Sequence, residues 1–353
     1  MTSASSGVAV RWPDPAGEPG RQVLVERRAA LDAFLRDAVG TLPPSLHRIC
    51  GYHLGWHDEN GRPCAGDSGK AIRPTLAVLA AEAVGGNAEA ALPAAAAVEL
   101  AHNFSLVHDD VIDGDRTRRH RPTAWAVFGT GQAVLAGDAL LALAHHVIAA
   151  SGHPAAADVA AMVSVAVAGL LEGQVEDLSF ERRADVDLPE CFRMVERKTA
   201  LLMSCACAAG AMFGEGRPDQ VERLRSFGRH LGVAFQLVDD LLGIWGDPDV
   251  TGKPVFSDLK NRKKTLPVVA ALTSGTAAGR DLAALYHRDG ALSEAELERA
   301  AGLIELAGVR AWSDAQLEVL VSRALRDLEL AASTPGPAAA MRSLVLLVTG
   351  RGR

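Results

Sequence analysis

The sequence predicts an all-α protein, a bundle of roughly ten or more helices in a single domain. Three observations carry this expectation. Ala, Leu, Val, Glu and Arg dominate long stretches with helical spacing. Gly and Pro gather between those stretches, as in GNAEAALP, SGHP, GEGRPD and GDPDVTGKP. No segment shows the alternating β-branched pattern of strands, and no repeat recurs at a fixed period.

Taken in order, residues 1–20 are rich in Gly, Pro, Ser and Ala and read as a flexible leader. Their sequence, MTSASSGVAVRWPDPAGEPG, lacks the basic start and apolar core of a signal peptide. Helices are expected over 21–40, 71–84, 92–113, 131–150, 155–178, 190–213, 219–245 and 265–273, with two or three more before residue 345. The most apolar internal run, VAAMVSVAVAGLL, covers 13 residues (159–171), too short to cross a bilayer. No convincing linker divides the 353 residues, so 21–350 is expected to form one domain. The chain reads as cytoplasmic, without a transmembrane segment.

Composition narrows the functional classes. At 48% hydrophobic and 22% charged, the chain has ample core material. A net charge of −7 argues against nucleic-acid partners, which demand a basic face. The five cysteines (Cys50, Cys64, Cys191, Cys205 and Cys207) form no CxxC pair, which suits a reducing compartment better than a secreted framework or a zinc site.

The chemistry concentrates in LVHDDVIDGDRTRRHRP, residues 106–122. If 92–113 is helical, Asp109 and Asp113 lie four residues apart on one face. Like charges at that spacing repel unless a cation sits between them, and paired hard oxygen ligands suit Mg²⁺. A solvated acidic helix end is the bland alternative. The apolar run VELAHNFSLV before the motif weighs against it, because it aims the helix into a core. A second acidic pair, Asp239 and Asp240, closes the apolar run FGRHLGVAFQLVDD 130 residues downstream. Two such motifs suggest facing helices with carboxylates across a shared cavity.

Cations accompany the acids. Lys70 and Arg73 lie in SGKAIRP, Arg118 and Arg119 follow the first motif, and Lys198 precedes Thr199 in VERKTALLM. Lys253 lies in TGKP, and Lys263 with Lys264 in NRKKTLP. Singly, each reads as a surface residue. Together with metal-binding carboxylates they match a diphosphate held between Mg²⁺ and basic side chains. No Walker-type glycine loop is present.

In order, GKAIRP, VELAHNFSLVHDDVID, RRHRPT, GQVED, KT, FQLVDD, GDPDVTGKP and SDLKNRKKTLP resemble the trans-isoprenyl diphosphate synthases, over about residues 25–345. The resemblance implies the isoprenoid synthase fold, helices around a central cavity, a homodimer, and about three Mg²⁺ ions with substrate bound. It implies Asp109, Asp113 and Asp239 as metal ligands. Lys70, Arg73, His102 and Arg119 fall where the family holds isopentenyl diphosphate. Arg118, Lys198 and Lys263 fall where it holds the allylic diphosphate, and Lys253 sits in the matching GKP. Thr199 and Gln236 match the groups that stabilise the allylic cation. His102 without the resemblance would read as a core histidine. Two positions depart from the pattern: Gly243 replaces the third aspartate of the second motif, though Asp247 is close, and His120 replaces a glycine.

The implied reaction is head-to-tail condensation. The allylic carbon–oxygen bond breaks, the isopentenyl double bond attacks, and a proton leaves, with the released diphosphate as base. No side-chain nucleophile is needed, but water must be excluded. Phe104 and Ser105 lie five and four positions before Asp109, one bulky and one small. That arrangement resembles synthases that stop at geranylgeranyl diphosphate (C20); farnesyl diphosphate is the nearer alternative. A synthase-derived terpene cyclase would not need Lys70, Arg73, His102 and Arg119. A non-catalytic synthase subunit would not keep the first aspartate motif.

Overall fold

The computed structural model describes residues 18–64, 66, 69–246, 256–288 and 290–350, and almost everything in them is helical. The elements are α1 (Glu18–Gly40), α2 (Pro44–His53), α3 (Ile72–Ala83) and α4 (Leu92–Ile112). A hairpin of β1 (Thr117–Arg118) and β2 (Arg121–Pro122) follows, then α5 (Ala124–Phe128), α6 (Thr130–Ala149) and α7 (Ala156–Phe180). Next come α8 (Leu188–Val195), a π-helical turn (Glu196–Ala200), α9 (Leu201–Phe213) and α10 (Pro218–Trp245). The chain ends with α11 (Ser257–Lys260), α12 (Leu266–Leu272), α13 (Ala277–Tyr286), α14 (Glu294–Leu306), α15 (Val309–Ala331) and α16 (Pro335–Thr349).

Local chemistry explains the boundaries. Proline opens α2, α4, α8, α10, α12 and α16, where its missing N–H costs no helical bond. Asp187 with Glu190 and Ser293 with Glu296 form capping boxes on α8 and α14. The stretch expected as one helix over 190–213 contains the π turn, which the 3.6-residue period does not encode. α2, only ten residues long, lies outside the helices expected from the sequence.

Small residues let the central helices approach closely. Ala94–Ala97 of α4, Ala77 of α3 and Ala209 of α9 have no exposed surface. Gly210 lies so near α3 that an added Cβ would stand 1.9 Å from the Ala77 carbonyl oxygen. The main apolar cluster joins α1–α4, α6, α7 and α9; a second joins α3, α9, α10, α15 and α16.

The apolar run at 159–171 is part of the 25-residue α7, so its helix is longer than the uninterrupted run suggested. By length and composition α6 and α7 could each cross a membrane, with mean hydropathy 1.4 and 1.6. Both pack against other helices, yet Leu135 of α6 and Val165, Leu171 and Val175 of α7 are exposed.

Candidate active site

One helix, α4, carries most of the site. Counting towards its C-terminus, it presents Glu99, His102, Phe104, His108, Asp109 and Asp110, and Asp113 caps it. Gly137 of α6 makes room for the His108 ring, which an added Cβ would meet at 2.3 Å, and His108 Nε2 lies 3.0 Å from the Val134 carbonyl oxygen.

The two aspartates of the DD pair divide their labour. Asp110 is buried and accepts from Arg118 Nε at 2.7 Å. Asp109 is less enclosed. Burial nonetheless pushes its carboxyl up to about 6, with Asp113 adding to the shift and Lys198, Arg118 and Lys263 opposing it. Lys263 Nζ stands 3.5 Å from Asp113 Oδ2. Burial disfavours the Lys263 charge, but Asp113, Asp177 and Asp258 outweigh that and raise its pKa.

The facing wall is built by α7, the π turn and α10. Lys198 Nζ is 2.5 Å from Asp177 Oδ2. The π turn brings Lys198 and Thr199 round to this face, and such turns often mark functional sites. Gly173 makes the approach feasible: a Cβ there would meet the Lys198 backbone nitrogen at 2.5 Å. The Thr199 hydroxyl donates to Gln236 Oε1 at 2.7 Å, and Gln236 Nε2 donates to Asp240 Oδ1 at 2.7 Å. Asp240 Oδ2 in turn accepts from the Leu266 N–H at 3.1 Å, tying α12 to the chain of bonds. Burial pushes the Asp240 carboxyl up to about 8 despite these donors. Asp240 is therefore an internal strut, whereas Asp239 is exposed.

A second basic group gathers about two turns back along the same face of α4. Arg73 Nη1 donates to His102 Nε2 at 3.2 Å, which leaves the His102 proton on Nδ1. Burial, then Arg73, Arg119 and Arg118, hold the His102 pKa well below the ordinary range, so the ring is neutral. Arg119 and His120 form the tip of the hairpin with φ of 50° and 59°. This left-handed geometry explains why the pattern favours glycine at 120, and it is backbone strain stored at a site. Gly69, with φ of 87°, lets the Arg119 guanidinium within 2.5 Å of its Cβ position, and Lys70 follows on the exposed loop. Asn103 Nδ2 donates to Glu99 Oε1 at 3.1 Å, and His53 Nε2 lies 3.2 Å from Asn103 Oδ1.

The structure thus brings Asp109, Asp113, Lys198, Thr199, Gln236 and Lys263 to one rim, and Lys70, Arg73, His102 and Arg119 to a neighbouring one. Lys253 and Asp247 lie outside the described residues. Asp177 and Glu99 were not singled out in the sequence; both sat inside the motifs GQVED and VELAHN. Gln174 was also missed. It is buried with neither amide atom hydrogen bonded, one turn before Asp177.

The donor set suits Mg²⁺. Among the described residues no three His, Cys, Asp or Glu side chains converge to cage an ion. Mg²⁺ does not require that, since it takes one or two carboxylates and fills its octahedron with water and phosphate oxygens. The mutual repulsion of Asp109 and Asp113 is what such a cation would relieve.

Phe104 is 3% exposed and packs edge-on against the His108 ring, with centroids 4.7 Å apart. Ser105 is also buried, and its hydroxyl donates to the His102 carbonyl at 2.8 Å.

The polyprenyl synthetase family profile matches residues 56–304. A (2E,6E)-farnesyl diphosphate synthase of Mycobacterium tuberculosis is 47% identical over 321 residues, covering 90% of this chain and 89% of that protein. A geranylgeranyl diphosphate synthase of the same organism is 45% identical over 290 residues, covering 82% and 83%. The crystal structure of a polyprenyl synthetase from Streptomyces coelicolor superposes with a TM-score of 0.88 at 43% identity, covering 93% of this chain and 98% of that one.

Proposed function

The chain belongs to the polyprenyl synthetase family, and from that premise we propose that it condenses isopentenyl diphosphate with allylic diphosphates, head to tail, to form geranylgeranyl diphosphate. The observation that carries this reading is the pairing of two cationic groups around one acidic helix end: Lys198 and Lys263 beside Asp109 and Asp113, and Arg73 and Arg119 around His102. Two anionic substrates need two such grips.

In this reading Lys198, Lys263, Arg118 and Lys253 hold the allylic diphosphate. Lys70, Arg73, His102 and Arg119 hold isopentenyl diphosphate. Asp109, Asp113 and Asp239 hold Mg²⁺, which when bound supplies positive charge that stabilises the leaving diphosphate. The partnerships of Lys198 with Asp177, Lys263 with Asp113 and Arg118 with Asp110 fix the cations before substrate arrives, so little reorganisation accompanies bond cleavage. Because the Thr199 hydroxyl donates to Gln236, its lone pairs are left to face the allylic cation. The apolar wall excludes water that would quench the cation. The proton released after attack passes to the departing diphosphate.

Chain length rests on Phe104 and Ser105, one large and one small group below the rim. The 47% identity to a farnesyl diphosphate synthase favours the shorter product as the second reading. We also propose a homodimer, joined through the exposed Leu135, Val165, Leu171 and Val175 of α6 and α7. The catalytic domain is taken as 21–350, acting in the cytoplasm.

Incubation with Mg²⁺, isopentenyl diphosphate and each of dimethylallyl, geranyl and farnesyl diphosphate, with product sizing by gas chromatography–mass spectrometry, tests the reading. Geranylgeraniol that vanishes in Asp109→Ala supports it, and farnesol as end product supports the second reading. A cyclic hydrocarbon formed without isopentenyl diphosphate would overturn both in favour of a cyclase; no turnover would point to a non-catalytic subunit.

A further inference from the structure

The second acidic motif reads Asp239-Asp240-Leu241-Leu242-Gly243, with no side chain where its third carboxylate belongs. A different carboxylate stands at that point in space. A Cβ built on Gly243 would lie 2.1 Å from Asp258 Oδ2 and 2.6 Å from Asp258 Cγ. The side-chain space of position 243 is therefore filled by the acid of Asp258, which arrives from α11.

Two further observations tie Asp258 to the rim. It acts on Lys263 together with Asp113 of the first motif and Asp177, and on Asp240 together with Asp239. Its backbone is fixed as well: the Lys263 N–H donates to the Asp258 carbonyl at 3.0 Å, and the neighbouring Leu259 is fully buried. The carboxylate is thus presented from a held segment.

We propose that Asp258 joins Asp239 as a carboxylate of the second metal site, supplied from α11 in place of the side chain absent at Gly243. The proposal rests on the prenyl-transfer reading and deepens it. Glycine at 243 and aspartate at 258 form a reciprocal pair: a larger residue at 243 would evict the acid, and loss of the acid leaves a gap that an aspartate at 243 could fill.

The probe is Mn²⁺ titrated into the full chain with inorganic diphosphate present, with bound ion counted by electron paramagnetic resonance and folding checked by circular dichroism. Asp258→Asn, which preserves shape, is expected to weaken Mn²⁺ binding by about tenfold or more, the usual effect of removing a supporting ligand. Gly243→Asp alone is expected to weaken binding too, because two carboxylates then contend for one space. Gly243→Asp placed on Asp258→Ala is expected to recover affinity relative to Asp258→Ala alone, which a merely structural aspartate would not show. Unchanged Mn²⁺ affinity in Asp258→Asn, or no recovery in the double variant, overturns the proposal. Wild-type turnover is measured in parallel. If no isopentenyl diphosphate is consumed, the prenyl-transfer reading fails and this inference falls with it; if product forms while Asp258→Asn keeps its Mn²⁺ affinity, only this inference fails.

Discussion

Replacing Gly173 by alanine isolates the contribution of the π turn to the site. The new Cβ would meet the Lys198 backbone nitrogen at 2.5 Å and its Cα and Cβ at 2.9 Å, against 3.4 Å for an ordinary contact. The shortfall is about 0.9 Å against backbone, so the helices must part rather than a side chain swing aside. Lys198 and Thr199 move with that backbone, and a misplacement of ~1 Å costs on the order of a hundredfold in rate. Steady-state kcat for condensation is therefore expected to fall about 10²-fold, with allylic diphosphate binding weakened as well, because the displaced Lys198 is one of its grips. Gly169→Ala, one turn earlier on α7, is the control. Its Cβ would meet only the tip of the Leu201 side chain, at 2.4 Å, which can rotate away. Since Gly→Ala in a helix interior is worth roughly 1 kcal/mol in propensity, that variant is expected to be stable and active. A Gly173→Ala enzyme with kcat within a few-fold of wild type would refute the claim that α7 sets the position of Lys198.

Phe104→Ala removes a side chain that is 3% exposed, a loss of about 3–5 kcal/mol in the empty protein, and should shift the product towards longer chains visible by mass spectrometry. His53 carries a pH prediction: burial, then Arg119 and Arg118, lower its pKa to about 3, while Asn103 opposes them. The neutral ring is the form that folds, so this stability is present above pH ~6.5 and is lost as pH falls towards 3. Melting curves of His53→Gln should therefore lose less than wild type over that acid window; a constant difference between the two would show that His53 titrates normally. Val165→Arg, at a position 70% exposed, should keep its helical circular dichroism yet yield a monomer by light scattering, with a melting temperature lowered by the loss of association, if α6 and α7 form the dimer face.

The helices were legible because apolar residues recur at helical spacing between Gly and Pro, with one apolar face in α10 and burial nearly all round in α4. The pairing of Asp109 with Asp113 was legible because the two need only helical spacing to share a face. What sequence did not reveal depends on contacts between distant segments. Asp177 looks like a surface acid until the π turn sets Lys198 against it. The division between Asp109 and Asp110 is decided by Arg118, which the hairpin folds back onto Asp110. Gly243 read as a deficiency because nothing in the linear order places Asp258 beside it. The hairpin itself escaped notice because its strands are two residues long, too short for any alternation.

Because α4 bears His102, Phe104, Asp109 and Asp113 on one rigid rod, the distances between the residues to which the proposed reading gives the incoming unit, the growing tail and the metal are set by helical rise. Inserting or deleting one residue between 102 and 113 would turn everything beyond it by about 100° and dismantle the rim. Substitution on the apolar face leaves that register intact. On that reading product length is open to change by a single side chain, whereas the spacing of the rod tolerates neither insertion nor deletion.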